Sequence, residues 1–233
     1  MSGTVQPGSP AGEGKHESLR GRLLVASPRL ADMNFERAVV VLLEHTSEGA
    51  LGVVLNRPTD TPVGEILEVW QPVAAGAPPA VIFRGGPVAP NAVIGLVLIA
   101  EKNRHEGTGE DDDGALEGAA AGSGMPDTSL AEEVERWLSG CRPVVGNLAT
   151  VDLSVPPQEC EEELVAARLF SGYAGWAPGQ LEGELEEGAW FVVDALDTDA
   201  MTNDPEDLWY AVLRRQKGPL AILRSYPPHP WVN

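Results

Sequence analysis

Basic residues, cysteines and histidines are all scarce in this chain, and each shortage closes off a class of function. Sixteen Lys and Arg against 35 Asp and Glu leave a formal charge of −19 over 233 residues. Affinity for nucleic acid rests largely on Lys and Arg neutralising phosphates, so this balance opposes DNA or RNA as a partner, and an anionic lipid surface is disfavoured likewise. The two cysteines, Cys141 and Cys160, have no CxxC spacing and are too few for a disulfide scaffold or a four-thiolate zinc site. A reducing cytoplasm is the setting they suggest. Three of the four histidines, His16, His105 and His229, fall in segments that look like a leader, an insertion and a tail. The longest apolar run, Ala92 to Ala100, is far short of a membrane span. Residues 1–18 have no apolar h-region and do not read as a signal peptide.

Catalytic signatures are also missing. The chain has no Gly-x-Ser-x-Gly elbow, no Gly-x-x-x-x-Gly-Lys-Ser/Thr loop and no His-Glu-x-x-His helix. Asp111-Asp-Asp113 sits among glycines that leave its carboxylates unorganised, so it reads as a solvated charge run and not as a cation site. His45 follows Glu44 at a strand end, where alternation sends neighbouring side chains to opposite faces and prevents the two from acting as one dyad. No metal site, no cofactor and no catalytic residue is expected.

What is present is one sizeable core's worth of short aliphatic runs. Residues 1–18 read as a disordered leader, 19–233 as one domain, and about 103–127 as an acidic flexible insertion within it. Leu23–Ala26, Ala38–Leu43 and Ala50–Leu55 read as strands of a meander, the last two joined as a hairpin through Ser47-Glu-Gly49. Thr61-Pro62 signals a helix carrying Val63, Ile66, Leu67 and Trp70 on a core face. Val81–Phe83 and Val93–Ile99 read as strands around the turn Gly85-Gly-Pro87.

Further along, Ser129-Leu-Ala-Glu132 has capping-box spacing before a short helix. Leu148–Val155 reads as strand, Pro157–Val165 as helix and Ala167–Ser171 as strand. The stretch Gly172–Trp176 reads as a tight loop entering a helix that Pro178 starts and Gly188 stops. A strand Trp190–Ala195, a helix from Asp204-Pro205 to Gly218-Pro219 and a last strand Leu220–Arg224 complete the chain. The pattern reads as one domain that combines strands, the first three in a meander, with helices.

The residues worth following are those with reactive or amphipathic side chains at turns. Arg57, in Asn56-Arg57-Pro58, leaves a strand with no acidic neighbour before Asp60, and Arg84 precedes Gly85-Gly86 in a similar way. Tyr173 and Trp176, flanked by glycines, combine apolar bodies with polar tips suited to a partner contact, and Gln180 begins the helix that follows. Asn56, Arg57, Arg84, Tyr173, Trp176 and Gln180 are the ligand or partner candidates. The anion field at that helix start is already occupied by its own Glu182 and Glu184.

Four segments together carry a resemblance. Gly21-Arg-Leu-Leu-Val-Ala-Ser-Pro28, Glu44-His45 through Gly49-Ala-Leu-Gly-Val-Val-Leu-Asn-Arg-Pro58, Gly85-Gly-Pro-Val88, and Gly172-Tyr-Ala-Gly-Trp176 with Gly179-Gln-Leu-Glu182 are similar in type and order to the YqgE/AlgH family of bacterial proteins. The resemblance spans roughly Leu19 to Asn233. It implies the fold class α/β (α+β), a single compact domain with a mixed, largely antiparallel sheet flanked by helices, in a cytoplasmic bacterial protein, and a family often labelled as transcriptional regulators without a recognised DNA-binding motif. Where members often carry a Leu-His pair at the end of the strand after Gly-Gly-Pro, this chain has Leu96-Val97. The expected function is a non-enzymatic regulatory or interaction protein with a protein or small-ligand partner. The alternative is a small-molecule-binding protein, or a hydrolase or transferase, with a pocket near Asn56, Arg57 and Tyr173.

Overall fold

The aliphatic runs pair into one sheet because β-branched and aliphatic side chains fit a pleated surface buried on both sides. The computed structural model describes residues 18–30, 32–101, 141–218, 220 and 223. Among them β1 (Arg22–Ala26), β2 (Val39–Thr46) and β3 (Gly49–Val54) form the expected antiparallel meander. Further strands are β4 (Pro58–Pro62), β5 (Val81–Arg84), β6 (Val88–Ile99), β7 (Arg142–Val145), β8 (Leu148–Val151), β9 (Leu164–Trp176) and β10 (Trp190–Asp194). The order is β10-β1-β2-β3-β9-β6-β8-β7, with β5 beside β9 and β4 beside β5. Only β5 and β9 run parallel among the described strands, so the sheet is mixed and largely antiparallel. No described helix is long and apolar enough to cross a membrane.

Period-two alternation divides the side chains of β1 and β2 between two cores. Leu23, Val25, Val39, Val41 and Leu43 face one cluster, which the short helix α4 (Leu208–Arg214) covers with Leu208, Trp209, Val212 and Leu213. Trp209 fixes that helix to the sheet by donating its indole N–H to the Ala26 carbonyl at 2.9 Å. Leu24, Ala26, Val40 and Leu42 face the other side, beneath Leu181 of α3 (Gln180–Glu186). A third core joins Ile82, Val97, Ala149 and Leu169 to Val63, Trp70 and Ala74 from the α1 (Val63–Ile66) and α2 (Gln71–Ala74) region.

Several boundaries depart from the sequence reading. The helix expected from Thr61 is two short turns instead. Thr61 and Pro62 still belong to β4, where Pro62 pairs with Val81, and the chain leaves helical geometry at Leu67 before a 3-10 turn, Glu68–Trp70, leads into α2 at Gln71. Val63 and Trp70 are buried as expected, but Ile66 is 54% exposed. The helix expected over Pro157–Val165 is a single 3-10 turn, Pro157–Glu159. The adjacent acids Glu161, Glu162 and Glu163 repel one another, and Leu164 is drawn into pairing with Ile99. The edge strand β7 has no counterpart in the sequence reading, because Pro143 weakens its pattern.

The largest correction concerns Gly172–Trp176, which is the second half of the 13-residue strand β9 and not a loop. Ala174, Gly175 and Trp176 pair with Gly52, Leu51 and Ala50 of β3. Gly172 has φ 70°, a left-handed conformation that absorbs the register shift between β6 and β9 without ending the strand. The helix α3 follows with its stop at Gly188, φ 73°, as read, but it begins at Gln180 after Gly179, φ 75°, and not at Pro178. Of the expected last strand, Leu220 and Leu223 lie in helical turns against the first core, and the rest falls outside the described residues. So do most of the leader, the insertion at 103–127 and the helix expected from Ser129.

One charge is enclosed in this frame. Arg168 on β9 is fully buried and donates to the carbonyls of Ala200, Ala77, Pro78 and Thr202 at 2.9–3.1 Å. Its guanidinium carbon lies 4.3 Å from the centroid of the Phe83 ring. Burial pushes its pKa down to about 10, so it stays protonated at neutral pH. The sequence reading passed over Arg168, although a lone charge inside Leu164-Val-Ala-Ala-Arg-Leu-Phe170 is the signal that marks it.

Candidate functional site

Two of the six candidates meet. The antiparallel register that sets Pro58 opposite Phe83 continues by one residue, and the Arg84 amide donates to the Arg57 carbonyl at 2.8 Å. Arg57 and Arg84 are therefore cross-strand neighbours, and both line a pocket of about 100 Å³. Its other walls are Val54, Gly86 and Pro87, with Met33 and Asn34 from the β1–β2 connection. The two arginines are the only charged members of that lining.

The Arg57 guanidinium donates to the main-chain carbonyls of Asn56, at 3.2 Å, and of Glu36. Neither arginine forms an ion pair with a carboxylate among the described residues. Burial holds the Arg57 pKa below its ordinary value; the field of Glu36 opposes that shift and the like charge of Arg84 adds to it. Arg84 is exposed and Arg57 half-buried.

Asn56 is buried beneath this pair and does structural duty. Its Oδ1 accepts the Val39 amide at 3.0 Å and its Nδ2 donates to the Arg37 carbonyl at 2.9 Å. Arg37 itself has φ 52° and Ala89 φ 44°, the two non-glycine residues with positive φ among those described. Both stand within a few residues of the pocket, Arg37 beside Glu36 and Ala89 after Pro87. Left-handed backbone at such residues costs about 1–3 kcal/mol and tends to cluster near binding sites.

The remaining candidates do not line this pocket. Tyr173 is 3% exposed and Trp176 4%, each within a core cluster, which leaves neither as an open contact. Burial raises the Tyr173 phenol above its usual range. Trp176 stacks with Phe35 and meets Trp190 edge-on, and both indoles donate to Glu184 Oε2, at 2.9 and 2.7 Å. Gln180 donates to Glu184 Oε1 at 2.9 Å and accepts the Ala177 amide at 3.1 Å, holding the first turn of α3. Glu182 reaches His45 Nε2 at 2.8 Å, while His45 Nδ1 accepts the Leu19 amide at 3.0 Å. The proton shared with Glu182 is therefore on Nε2. Both helix carboxylates are engaged internally, and the His45 imidazole meets Glu182, far away in sequence, while Glu44 accepts the His45 main-chain amide at 3.1 Å.

A second pocket, about 310 Å³, brings both cysteines together with Val151, Asp152, Val155 and Glu162. Burial raises the Cys141 thiol pKa, with Glu162 adding to it, and burial with Asp152 does the same for Cys160. Neither is an activated nucleophile. No group of three or more His, Cys, Asp or Glu among the described residues has metal-holding geometry.

Comparison with known proteins places these features in context. The family model described as AlgH-like matches residues 23–221. A UPF0301 protein of Streptomyces coelicolor is 46% identical over 93% of this chain and 96% of its own length. One from Thermobifida fusca is 40% identical over 93% and 96%. Among solved structures, a Corynebacterium diphtheriae protein superposes with a TM-score of 0.69 at 28% identity, covering 92% of this chain and 95% of that one. The solution structure of the AlgH protein of Pseudomonas aeruginosa gives 0.53 at 26% identity, covering 94% and 100%.

Proposed function

Because this chain belongs to the AlgH-like family, whose relatives here carry no named activity, its own site has to supply the reading, and we propose a non-enzymatic regulatory or interaction protein of the cytoplasm. It engages a small ligand or protein partner that offers an anionic group to Arg57 and Arg84. The observation that carries this reading is the pairing of two guanidiniums in one pocket that no carboxylate lines; Glu36 offsets part of the Arg57 charge through its field but forms no ion pair with it. In a chain of charge −19 such a local positive site is selective, since the surrounding field repels unheld anions. The same charge argues against direct DNA contact. An enzymatic reading would need Tyr173 beside Arg57, and Tyr173 belongs instead to the buried first core.

The test is amide-resolved NMR titration with acetate and with inorganic phosphate. Saturable shifts at Arg57, Arg84 and Gly86, lost in Arg57→Gln/Arg84→Gln, are expected. No response to either anion would overturn the proposal.

A further inference from the structure

Resting on that reading, we infer that the group held between Arg57 and Arg84 is the dianionic phosphoryl end of a phosphomonoester. Three observations lead there. The first is the register: directly opposed residues of an antiparallel pair share a face, and like charges placed so are destabilising. Arg57 and Arg84 occupy such a position at the end of the β4–β5 ladder. A local rule broken at a pocket marks a place where a ligand supplies the missing charge.

The second is charge and donor geometry. A planar guanidinium fork matches the two oxygens of one carboxylate, so a carboxylate satisfies one arginine and leaves the other unmatched. A phosphomonoester offers three acceptor oxygens and about −1.5 to −2 charge at neutral pH, enough for both forks. No acidic residue lines the pocket to compete for them. Arg57 is held by the Asn56 and Glu36 carbonyls, which position its guanidinium without neutralising it.

The third is size. A volume of about 100 Å³ admits one phosphoryl group but falls below the roughly 300 Å³ at which pockets begin to enclose drug-sized ligands. The rest of the ligand therefore lies outside, across Met33, Asn34 and Pro87, all exposed.

The experiment is NMR titration of the full chain with methyl phosphate, inorganic phosphate, dimethyl phosphate and acetate. Methyl phosphate is expected to bind saturably at Arg57, Arg84 and Gly86, at least about tenfold more tightly than dimethyl phosphate or acetate, a margin of about 1.4 kcal/mol. Its affinity should rise as pH passes about 6, where the second phosphate proton leaves. Arg57→Gln and Arg84→Gln should each weaken it about tenfold, a loss equivalent to about 1.4 kcal/mol. Arg84 is exposed and makes no structural side-chain bond among the described residues, so its variant stays informative even if loss of the Arg57 bonds disturbs the fold.

Acetate binding as tightly as methyl phosphate would overturn the phosphoryl assignment and leave the anion-site reading standing. Inorganic phosphate binding with methyl phosphate excluded would overturn the monoester. Binding unchanged in both variants, or no binding by any of the four probes, would remove the site altogether.

Discussion

A Cβ placed on Gly86 would stand 2.1 Å from the carbonyl carbon of Tyr173. The Gly-Gly-Pro turn and the Gly-Tyr-Ala-Gly-Trp strand are thus one packed unit. Gly85 makes the same demand, since its Cβ would stand 2.2 Å from the Gly172 carbonyl oxygen. These contacts fix the pocket wall, because Arg84 immediately precedes the two glycines.

Gly86→Ala should therefore destabilise the protein by about 3 kcal/mol or more, since the obstructing atoms are main chain and cannot rotate away. Gly183→Ala is the control. It lies inside α3 with nothing within 4 Å of a new Cβ, and should stabilise by about 0.5–1 kcal/mol through helix propensity. Urea midpoints of the two variants should move in opposite directions, and a shared direction would contradict this packing.

Replacing Arg168 leaves the Ala77, Pro78, Ala200 and Thr202 carbonyls without their donor. Each orphaned buried group costs about 1–3 kcal/mol, so Arg168→Met should lose about 3 kcal/mol or more despite removing a buried charge. Arg168→Lys, with one ammonium in place of a fork, should recover part of that loss. Denaturation of the two variants tests the order, and a neutral Arg168→Met would show that the carbonyls find other partners.

Alkaline titration should expose the buried phenol. Burial raises the Tyr173 pKa above the ordinary 10.0, so on raising pH the unfolded chain releases this proton before the folded one. The folded state then binds more protons, and stability falls. The Tyr173 contribution is fully present below about 10 and lost as pH climbs through the folded value. Tyrosinate absorbance should include one late step that Tyr173→Phe removes, and the variant should lose less stability over the same window.

Thiol chemistry offers an independent check on the second pocket. With both thiol pKa values raised by partial desolvation and nearby carboxylates, iodoacetamide at neutral pH should modify Cys141 and Cys160 more slowly than a free cysteine peptide. The gap should narrow as pH rises. Faster labelling than the peptide would mean that the carboxylates do not face the thiols.

Much of the sheet was legible because a run such as Ala38–Leu43 supports few alternatives to a buried strand. The helices were less so. Val63 and Trp70 carried a helical spacing, yet pairing of Pro62 with Val81 and the break at Leu67 divided that segment, since tertiary pairing outweighs a local start signal. Gly172–Trp176 misled in the opposite sense. Its glycines signalled a turn, whereas they serve the close approach of Gly85-Gly86 to an unbroken strand. For the site, residue type drew attention to Arg57 and Arg84 separately, but nothing local joined them. His45 with Glu182 and Arg168 with its carbonyl cage stayed hidden for the same reason: each partner comes from another element.

By itself, the sequence determined the acidic charge, the central strands of the sheet, the glycines that the turns require and the family. Those properties depend on local backbone preference and apolar pattern, which a linear chain carries in full. Only the tertiary structure decided that Tyr173 and Trp176 are core and that two arginines stand opposite one another. Cross-strand register is a long-range outcome of how buried faces match, and it placed these two positive charges side by side in one pocket.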